Sequence, residues 1–515
     1  MALATLVLVA SVANLPLSVA FVALPEIGAH FDSSQTALNL VAVGYSLGLA
    51  ASVLWLGALG DRYGRKSVML LGLGLSVPAA LVAAWAGSIE VLVVARVVGG
   101  LAAGMAFPTT LALITALWSP GPGRTRSIAL WSATGGAVTA LGPLLGGLLI
   151  LHFWWGAAFL VTLPLVAVAV PLVLWCIPAH VNEDVDPVDN VGGVLSVLVV
   201  GGLVFAINLA VVPGMAGVAL VAVGIAVLAT LGFVLRQRHA PNPLYDLDVA
   251  ARPTFWVAAV AGIIVFGALM GTVFIGQQFV QNVLGYSSVE AGLAIAPMAV
   301  FMIGLAPVSA RIVEARGART TLLIGYVPVL LAFVTMLVTW DAGVGYWAVG
   351  LAYALVGAGV GLVGTPASHS LTGSVPVRRA GMASGTADLQ RDLGGAIMQS
   401  VLGALLTAGY AQAFARLVAD SPSATSVSTE VEGQLVRSFA SAAEVADRYP
   451  QYADQIVTAA RDAFVTGQRW AYLAGIVAVL VGIALVAACF PGPDRERVLL
   501  AEYRDDDASP EPRSA

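Results

Sequence analysis

Charge is what this 515-residue chain has least of: only 10% of its residues are Asp, Glu, Lys or Arg, while 59% are hydrophobic and the mean hydropathy is +0.91. So few charges cannot cover the surface of a soluble domain of this length, which excludes a soluble globular protein and implies a polytopic membrane protein. Cysteine is nearly absent too. Cys176 and Cys489 stand far apart with no ligand spacing around either, which excludes a disulfide framework and a thiolate metal site. Of the five histidines only His369 approaches an apolar run. No metal-ligand cluster and no nucleophile in a recognisable setting is present, so neither an enzyme nor a cofactor is expected. Of the 24 basic residues Lys66 alone is lysine, a bias that reflects genomic base composition more than chemistry. A net charge of -5 gives no reason to expect a nucleic-acid partner. A basic leader is lacking as well, and Ser18-Val19-Ala20, which looks like a cleavage site, is not read as one.

What the chain has instead is apolar runs of about 20 residues, the length that crosses the hydrocarbon core of a bilayer. Six come first, at 2–24, 37–59, 67–86, 89–117, 127–150 and 155–177. Two follow at 191–212 and 214–235, and six more at 253–276, 291–310, 320–340, 344–367, 380–407 and 470–490. The expected fold is an all-α polytopic membrane protein of fourteen spans, because helices satisfy every backbone polar group where lipid cannot. Most of the eleven Trp, including Trp154, Trp155, Trp340 and Trp470, fall near span ends and read as an interface belt.

Basic residues near span ends hold those ends in the cytoplasm. Short loops that fourteen spans place inside carry Arg62, Arg65, Lys66, Arg124, Arg126, Arg236, Arg238, Arg252, Arg311, Arg316, Arg319, Arg378 and Arg379, and the short outside loops carry none. Both termini are expected in the cytoplasm, with the chain in the plasma (inner) membrane. The loop 178–190 is acidic, which orients nothing.

Between the second and third runs, residues 57–66 read G-A-L-G-D-R-Y-G-R-K. Adding 253 to these positions lands on Ala310, Ile312, Glu314, Gly317 and Arg319, a degraded copy between the tenth and eleventh runs. The same offset carries the first run onto the ninth, the second onto the tenth and the fifth onto the thirteenth, so two six-span halves are parallel repeats around an inserted pair. The expected organisation is an N-terminal six-helix bundle over 1–178, two linker spans over 179–252, a C-terminal six-helix bundle over 253–492, and a cytoplasmic tail over 493–515. Within the second bundle 411–468 is a long extracytoplasmic segment with a Ser/Thr/Pro stretch at 421–429. It is a solvated cap or a contact for a partner or substrate.

The loop Gly57, Leu59, Asp61, Arg62, Gly64, Arg65 and Lys66 resembles, at every defining position, the loop joining the second and third spans of the major facilitator superfamily. Fourteen spans resemble its drug:proton antiporter branch, of multidrug-exporter type. Leu92, Arg96, Gly100, Ala102 and Ala103 resemble that branch's intramembrane arginine motif, with Gly99 where Gln is common. Gly142-Pro143-Leu144-Leu145-Gly146-Gly147 resembles its antiporter hinge motif. After Trp155 the usual Arg is Gly156, while Phe159 and Pro164 fit. Gly285-Tyr286, Ala291-Gly292 and Pro297 resemble the entry to the tenth span, and Gly381, Ala383-Ser384-Gly385, Arg391 and Gly394-Gly395 the thirteenth. The resemblance covers essentially the whole chain and implies two six-helix bundles with a substrate cavity between them.

Each motif also has a reading of its own. Asp61 with Arg62, Arg65 and Lys66 forms a gating latch through charge-assisted hydrogen bonds between span ends, or a topology anchor. Gly142, Gly146 and Gly147 let helices approach closely, and Pro143 frees a carbonyl for a bend. Intramembrane charge is the sharper signal, because an ionised side chain at the bilayer centre costs about 2.5–3.5 kcal/mol even on the lenient scale. The thirteenth run holds Asp388, Arg391 and Asp392, within a sector of about 100° on a helix. One carboxylate is expected to pair with Arg391 while the other, desolvated beside a like charge, holds a proton. That makes a proton-coupling site, or else a neutralised structural network. Arg96 lies about seven residues, or about 10 Å, from a span end, within reach of snorkelling. Asn14, Asn208, Gln277, Gln278, Gln281 and His369 line a polar route or serve as packing partners. One departure stands out: the branch's acidic residue in the first span, upstream of Ala23-Leu24-Pro25, is here Pro16.

Taken together these features imply a secondary active exporter of small amphiphilic, drug-like molecules, driven by protons and working by alternating access. The alternative is export or flipping of an endogenous lipid or metabolite without obligatory proton coupling.

Overall fold

In a computed structural model the chain is described over residues 1–118, 122–179, 187–210, 212, 214–375, 380–420 and 429–508. The stretch 421–428, the acidic run within 180–186 and the side chains of Arg124, Arg126, Arg378, Arg379, Gly381, Ala383 and Ser384 lie outside the described residues.

Every element among the described residues is helical. The first half comprises α1 (Ala2–Phe31), α2 (Gln35–Tyr63), α3 (Arg65–Ala84), α4 (Ile89–Leu117), α5 (Pro122–His152), α6 (Ala157–Leu160) and α7 (Thr162–Cys176). The inserted pair is α8 (Asn190–Leu209) and α9 (Ala216–His239), followed by the short α10 (Leu247–Ala250). The second half comprises α11 (Pro253–Gln278), a π turn at Phe279–Val283, α12 (Ser288–Ala294), α13 (Ala296–Thr339), α14 (Tyr346–Gly373), α15 (Ala380–Ala419), α16 (Thr429–Leu435), α17 (Phe439–Arg448) and α18 (Ala453–Cys489). A tail helix, α19 (Pro493–Ala508), ends the series. Prolines 16, 25, 78 and 108 sit inside these helices, as neighbouring helices and side chains permit within a membrane bundle.

Among the described residues twelve helical stretches are long and apolar enough to cross a membrane, where fourteen runs were expected. The difference has two sources. The tenth and eleventh runs merge in one stretch, Ser288–Thr339, 52 residues long, with a break at Gly317 (φ 80°, ψ 167°). The fifth run contributes only an apolar piece, Gly142–His152, because part of α5 lies outside the described side chains.

Helix α15 runs on to Ala419 and α18 starts at Ala453, so helix enters the segment 411–468 from both ends. Polar but helix-favouring residues continue both helices beyond their apolar cores, so hydropathy underestimates their length. Trp340 and Trp155 are core residues, 1% and 6% exposed, with Trp340 stacked on Phe279 at 4.8 Å. Trp154 and Trp470 are partly exposed, 38% each.

The halves meet along α2 against α15, α5 against α12 and α1 against α11. Helix α8 packs on α2 and α15 together, through Val43, Leu47, Val200, Val204 and Ala396. Its start is fixed by Asp189, which accepts from Gly192 N (3.0 Å), Arg236 Nε (2.9 Å) and Gln237 Nε2 (3.0 Å). Burial alone would raise this carboxyl, but those hydrogen bonds and the Arg236 charge outweigh it and hold the group below the usual carboxylate range.

Candidate transport site

The seam between α2 and α15 carries the charges. Asp388 and Asp392, 2% and 4% exposed, recur one turn apart on α15, and each leaves one oxygen, Oδ2, without a hydrogen-bond partner. The expected ion pair with Arg391 is not formed. Arg391 acts on both carboxyls by its charge, but its guanidinium lies over the Phe266 ring of α11, 5.3 Å from the centroid. Gln390 packs against the same helix, where a side chain on Gly262 would collide with it.

Seven residues beyond Asp392, Gln399 continues the same face of α15 and accepts from Ser46 Oγ of α2 at 3.3 Å. Further along α2, Asn39 Nδ2 donates to Thr407 Oγ1 of α15 (3.1 Å) and Gln35 Nε2 to Gln278 Oε1 of α11 (2.9 Å). All three contacts join one half to the other.

Arg96 sits across from this face. It is 2% exposed and turns inward, although a span end lies within reach of snorkelling. Its Nε donates to Val41 O (3.2 Å) and its NH1 to Pro16 O (2.8 Å), while its guanidinium lies over the rings of Tyr45 (4.9 Å) and Phe159 (5.6 Å). The second guanidinium nitrogen, NH2, has no partner. Pro16, which replaces the expected carboxylate, thus offers Arg96 a backbone carbonyl instead. Tyr45 donates to Ala13 O (2.8 Å) and lies within electrostatic range of both Arg96 and Asp392.

At the α2–α3 end the chain reverses at Gly64 (φ 99°), a backbone conformation that a side chain would strain. Asp61 Oδ1 accepts from Arg65 Nε at 2.8 Å, and Arg65 NH1 donates to Ala112 O of α4 at 3.2 Å. Lys66 Nζ donates to Leu174 O (2.9 Å) and Ile177 O (2.7 Å), where a cation meets the carbonyls at the C-terminus of α7. Gly57 lies in ordinary contact with Pro108 of α4. The loop thus ties together the ends of α2, α3, α4 and α7.

Gly142, Pro143, Gly146 and Gly147 lie buried on α5. A Cβ on Gly142 would stand 2.0 Å from Ser18 Oγ of α1, and one on Gly147 2.3 Å from Ser288 O of α12. The motif is therefore a close-packed crossing that joins the two halves.

The five amides, read as a polar route or as packing partners, each donate a hydrogen bond within the helical bundle. Asn14 donates to Ala10 O, Asn208 to Val204 O and Ser400 Oγ, Gln277 to Ala291 O, and Gln281 to Gln277 O. Gln278 donates to Phe274 O and accepts from Gln35 of α2, so it joins α11 to the first half. His369 is exposed near the end of α14.

At the α1–α2 end a second tie crosses between halves. Asp32, itself at φ 43°, accepts from Ser441 Oγ (2.6 Å) and Arg437 NH1 (2.8 Å). Ser438 Oγ donates to Ser33 O (2.9 Å), and Gln35 N to Arg437 O (3.1 Å). Helix α17 turns Ser441, Ala442, Val445 and Ala446 toward the bundle, so this segment is a clasp on the chain itself. Gln35, Asn39, Ser46, Tyr45, Gln399 and the clasp residues were all missed from the sequence. Gln399 alone had a signal, its helical spacing from Asp388 and Asp392.

Residues 6–399 match the sequence profile of the Major Facilitator Superfamily. The chain is 32% identical over 472 residues to the multidrug efflux pump LfrA of Mycolicibacterium smegmatis, covering 91% of this chain and 92% of that protein. It is 30% identical over 476 residues to the drug efflux pump JefA of Mycobacterium tuberculosis, covering 90% and 92%. Among solved structures, a bacterial homologue of the human lysosomal transporter Spinster superposes with a TM-score of 0.62 at 17% identity, covering 98% of this chain and 97% of that one. Helical architecture, duplicated loop and relatives agree: the chain is a multi-pass membrane transporter that belongs to the major facilitator superfamily.

Proposed function

We propose that the chain exports small amphiphilic, drug-like molecules by proton antiport, with alternating access between two six-span halves. The observation that carries this reading is the pair Asp388 and Asp392, buried one turn apart on α15 beside the interface of the halves, each with an oxygen left unpartnered. A buried carboxyl with one oxygen left unpartnered has a place for a proton, which is what coupling needs. The drug-efflux names of the relatives support the cargo class. A proton crossing inward releases about 2.3 kcal/mol per 100 mV, enough for roughly fiftyfold accumulation.

The same reading has fourteen spans, with α8 and α9 as linkers and both termini in the cytoplasm. The 31 residues of α5 and the two arms of α13 on either side of Gly317, 296–316 and 318–339, are each long enough for one traverse. Asp61–Arg65 and Lys66 then latch the cytoplasmic side, the clasp on Asp32 closes the outer side, and the α5 glycines form the pivot. Pro16 favours a second reading, transport of a lipid or metabolite without obligatory protons, because the first-span carboxylate of the antiporter branch is gone.

Cells lacking their own efflux pumps and expressing this chain should retain less ethidium, and a protonophore should abolish the difference. Equal dye retention with and without the chain, together with movement of a fluorescent lipid analogue in liposomes, would favour the second reading instead.

A further inference from the structure

The second copy of the charged loop has lost one working part, and the tail occupies its place. Under the 253-residue offset Gly64 corresponds to Gly317, and both have positive φ, 99° and 80°. Lys66 corresponds to Arg319, and the contact is kept: Arg319 NH2 donates to Ala487 O near the C-terminus of α18, as Lys66 Nζ does to Leu174 O and Ile177 O at that of α7. Arg65 corresponds to Ala318, which has no guanidinium to pair with Glu314, the counterpart of Asp61.

At this position the backbone N–H of Ala318 donates to Glu496 Oε2 of α19 at 3.1 Å. Glu496 is 5% exposed, although it belongs to a charged tail helix. The space a Cβ on Gly317 would fill is bounded by Glu496 and Pro493, both at 3.2 Å, so the glycine also makes room for the tail. Two further contacts seat α19. Leu500 lies against Gly373 at the end of α14, and the Tyr503 ring stacks on Arg252, 4.2 Å from its guanidinium carbon. Arg252 in turn donates to Ser374 O at 2.5 Å. The tail thus binds the ends of α11 and α14 and the break in α13, as Asp61–Arg65 and Lys66 bind the ends of α2, α3, α4 and α7 in the first half.

We propose that Glu496 is a positioning residue of the transport cycle, and that α19 is the latch of the second half, supplying from the tail what the degraded loop copy no longer holds. The claim that it serves transport rests on the export reading; the claim that it holds α13 at the break beside Gly317 does not.

Ala318 itself provides the reporter, since it is 0% exposed where Glu496 meets it, and the half-buried Cys176 at the end of α7 provides the control. Maleimide labelling of Ala318→Cys, in a background that lacks Cys489 and keeps Cys176, is measured with Glu496, Glu496→Ala and Glu496→Gln, alongside ethidium transport by each Glu496 variant. Loss of one charge-assisted hydrogen bond should raise labelling at 318 about tenfold in Glu496→Ala, with Cys176 unchanged. Glu496→Gln keeps an acceptor for the backbone N–H at 318 and should return labelling toward the rate with Glu496. Adding Ala318→Arg to Glu496→Ala, which restores an Arg four residues after Glu314, should recover transport. Unchanged labelling at 318 in Glu496→Ala, or an equal rise at both cysteines, would overturn the latch. A chain that moves no ethidium but shows the contrast at 318 would overturn the export reading and leave the latch standing.

Discussion

The clasp on Asp32 holds the two halves together at one end, and its strength can be worked out from its parts. The ion pair to Arg437 is 38% and 41% exposed, so solvent screening limits it to about 0.2–1 kcal/mol. The bond from Ser441 is short and half-buried, and a hydrogen bond to a charge contributes about 1.5 kcal/mol at the low end of its range. Asp32→Gly removes both acceptors and puts at φ 43° a residue that adopts the left-handed backbone without strain. The sum, about 2 kcal/mol, corresponds to a shift of roughly thirtyfold between clasped and open forms. Ser33 provides the reporter: it is 1% exposed and its Oγ has no partner, so Ser33→Cys is well tolerated and reacts with maleimide only when the clasp lifts. Labelling of Ser33→Cys in a background lacking the native cysteines should rise roughly thirtyfold when Asp32→Gly is added. Equal rates with and without the Asp32 carboxylate would refute the clasp.

Two further outcomes follow from the ends of the helices. Asp61→Asn breaks the pair to Arg65 at 2.8 Å and should slow transport several-fold while leaving the amount of folded protein intact; transport at the wild-type rate would reduce the loop to a topology anchor. Asp189 titrates below its ordinary value of 3.8 in the folded chain, so its stabilisation is complete above that value and is lost as pH falls through the folded one. Thermal unfolding in detergent should therefore show Asp189→Asn to be less stable than wild type by about 1–3 kcal/mol near neutrality. The gap should narrow below about pH 4, and a gap independent of pH would show that the carboxylate charge plays no part.

The helical membrane fold was legible because crossing a bilayer demands long apolar runs, and the chain has them in order. Where helices end was less legible: α15 and α18 outrun their apolar cores, and α13 carries two runs with a single glycine between them. The carboxyls of α15 could be found because charge is rare in such runs and helical spacing puts Asp388, Asp392 and Gln399 on one face. Their partner could not, since Arg391 stacks on a ring of another helix instead of pairing along its own. Contacts between distant segments left no trace in the sequence. Asp32 and Ser441 are 409 residues apart, and Ala318 and Glu496 are 178 apart. Arg96 was visible as a buried charge, but its acceptor is the main chain of Pro16, a residue that the sequence marks only as a missing acid.

Proton coupling through α15 is the central claim. It is tested most directly by flux of a fluorescent lipophilic cation in proteoliposomes with an imposed pH gradient, comparing wild type with Asp388→Asn, Asp392→Asn and the double variant. The account predicts gradient-driven export by the wild type, unequal losses in the single variants and none left in the double one. Export by the double variant at the wild-type rate with the same pH dependence would contradict it.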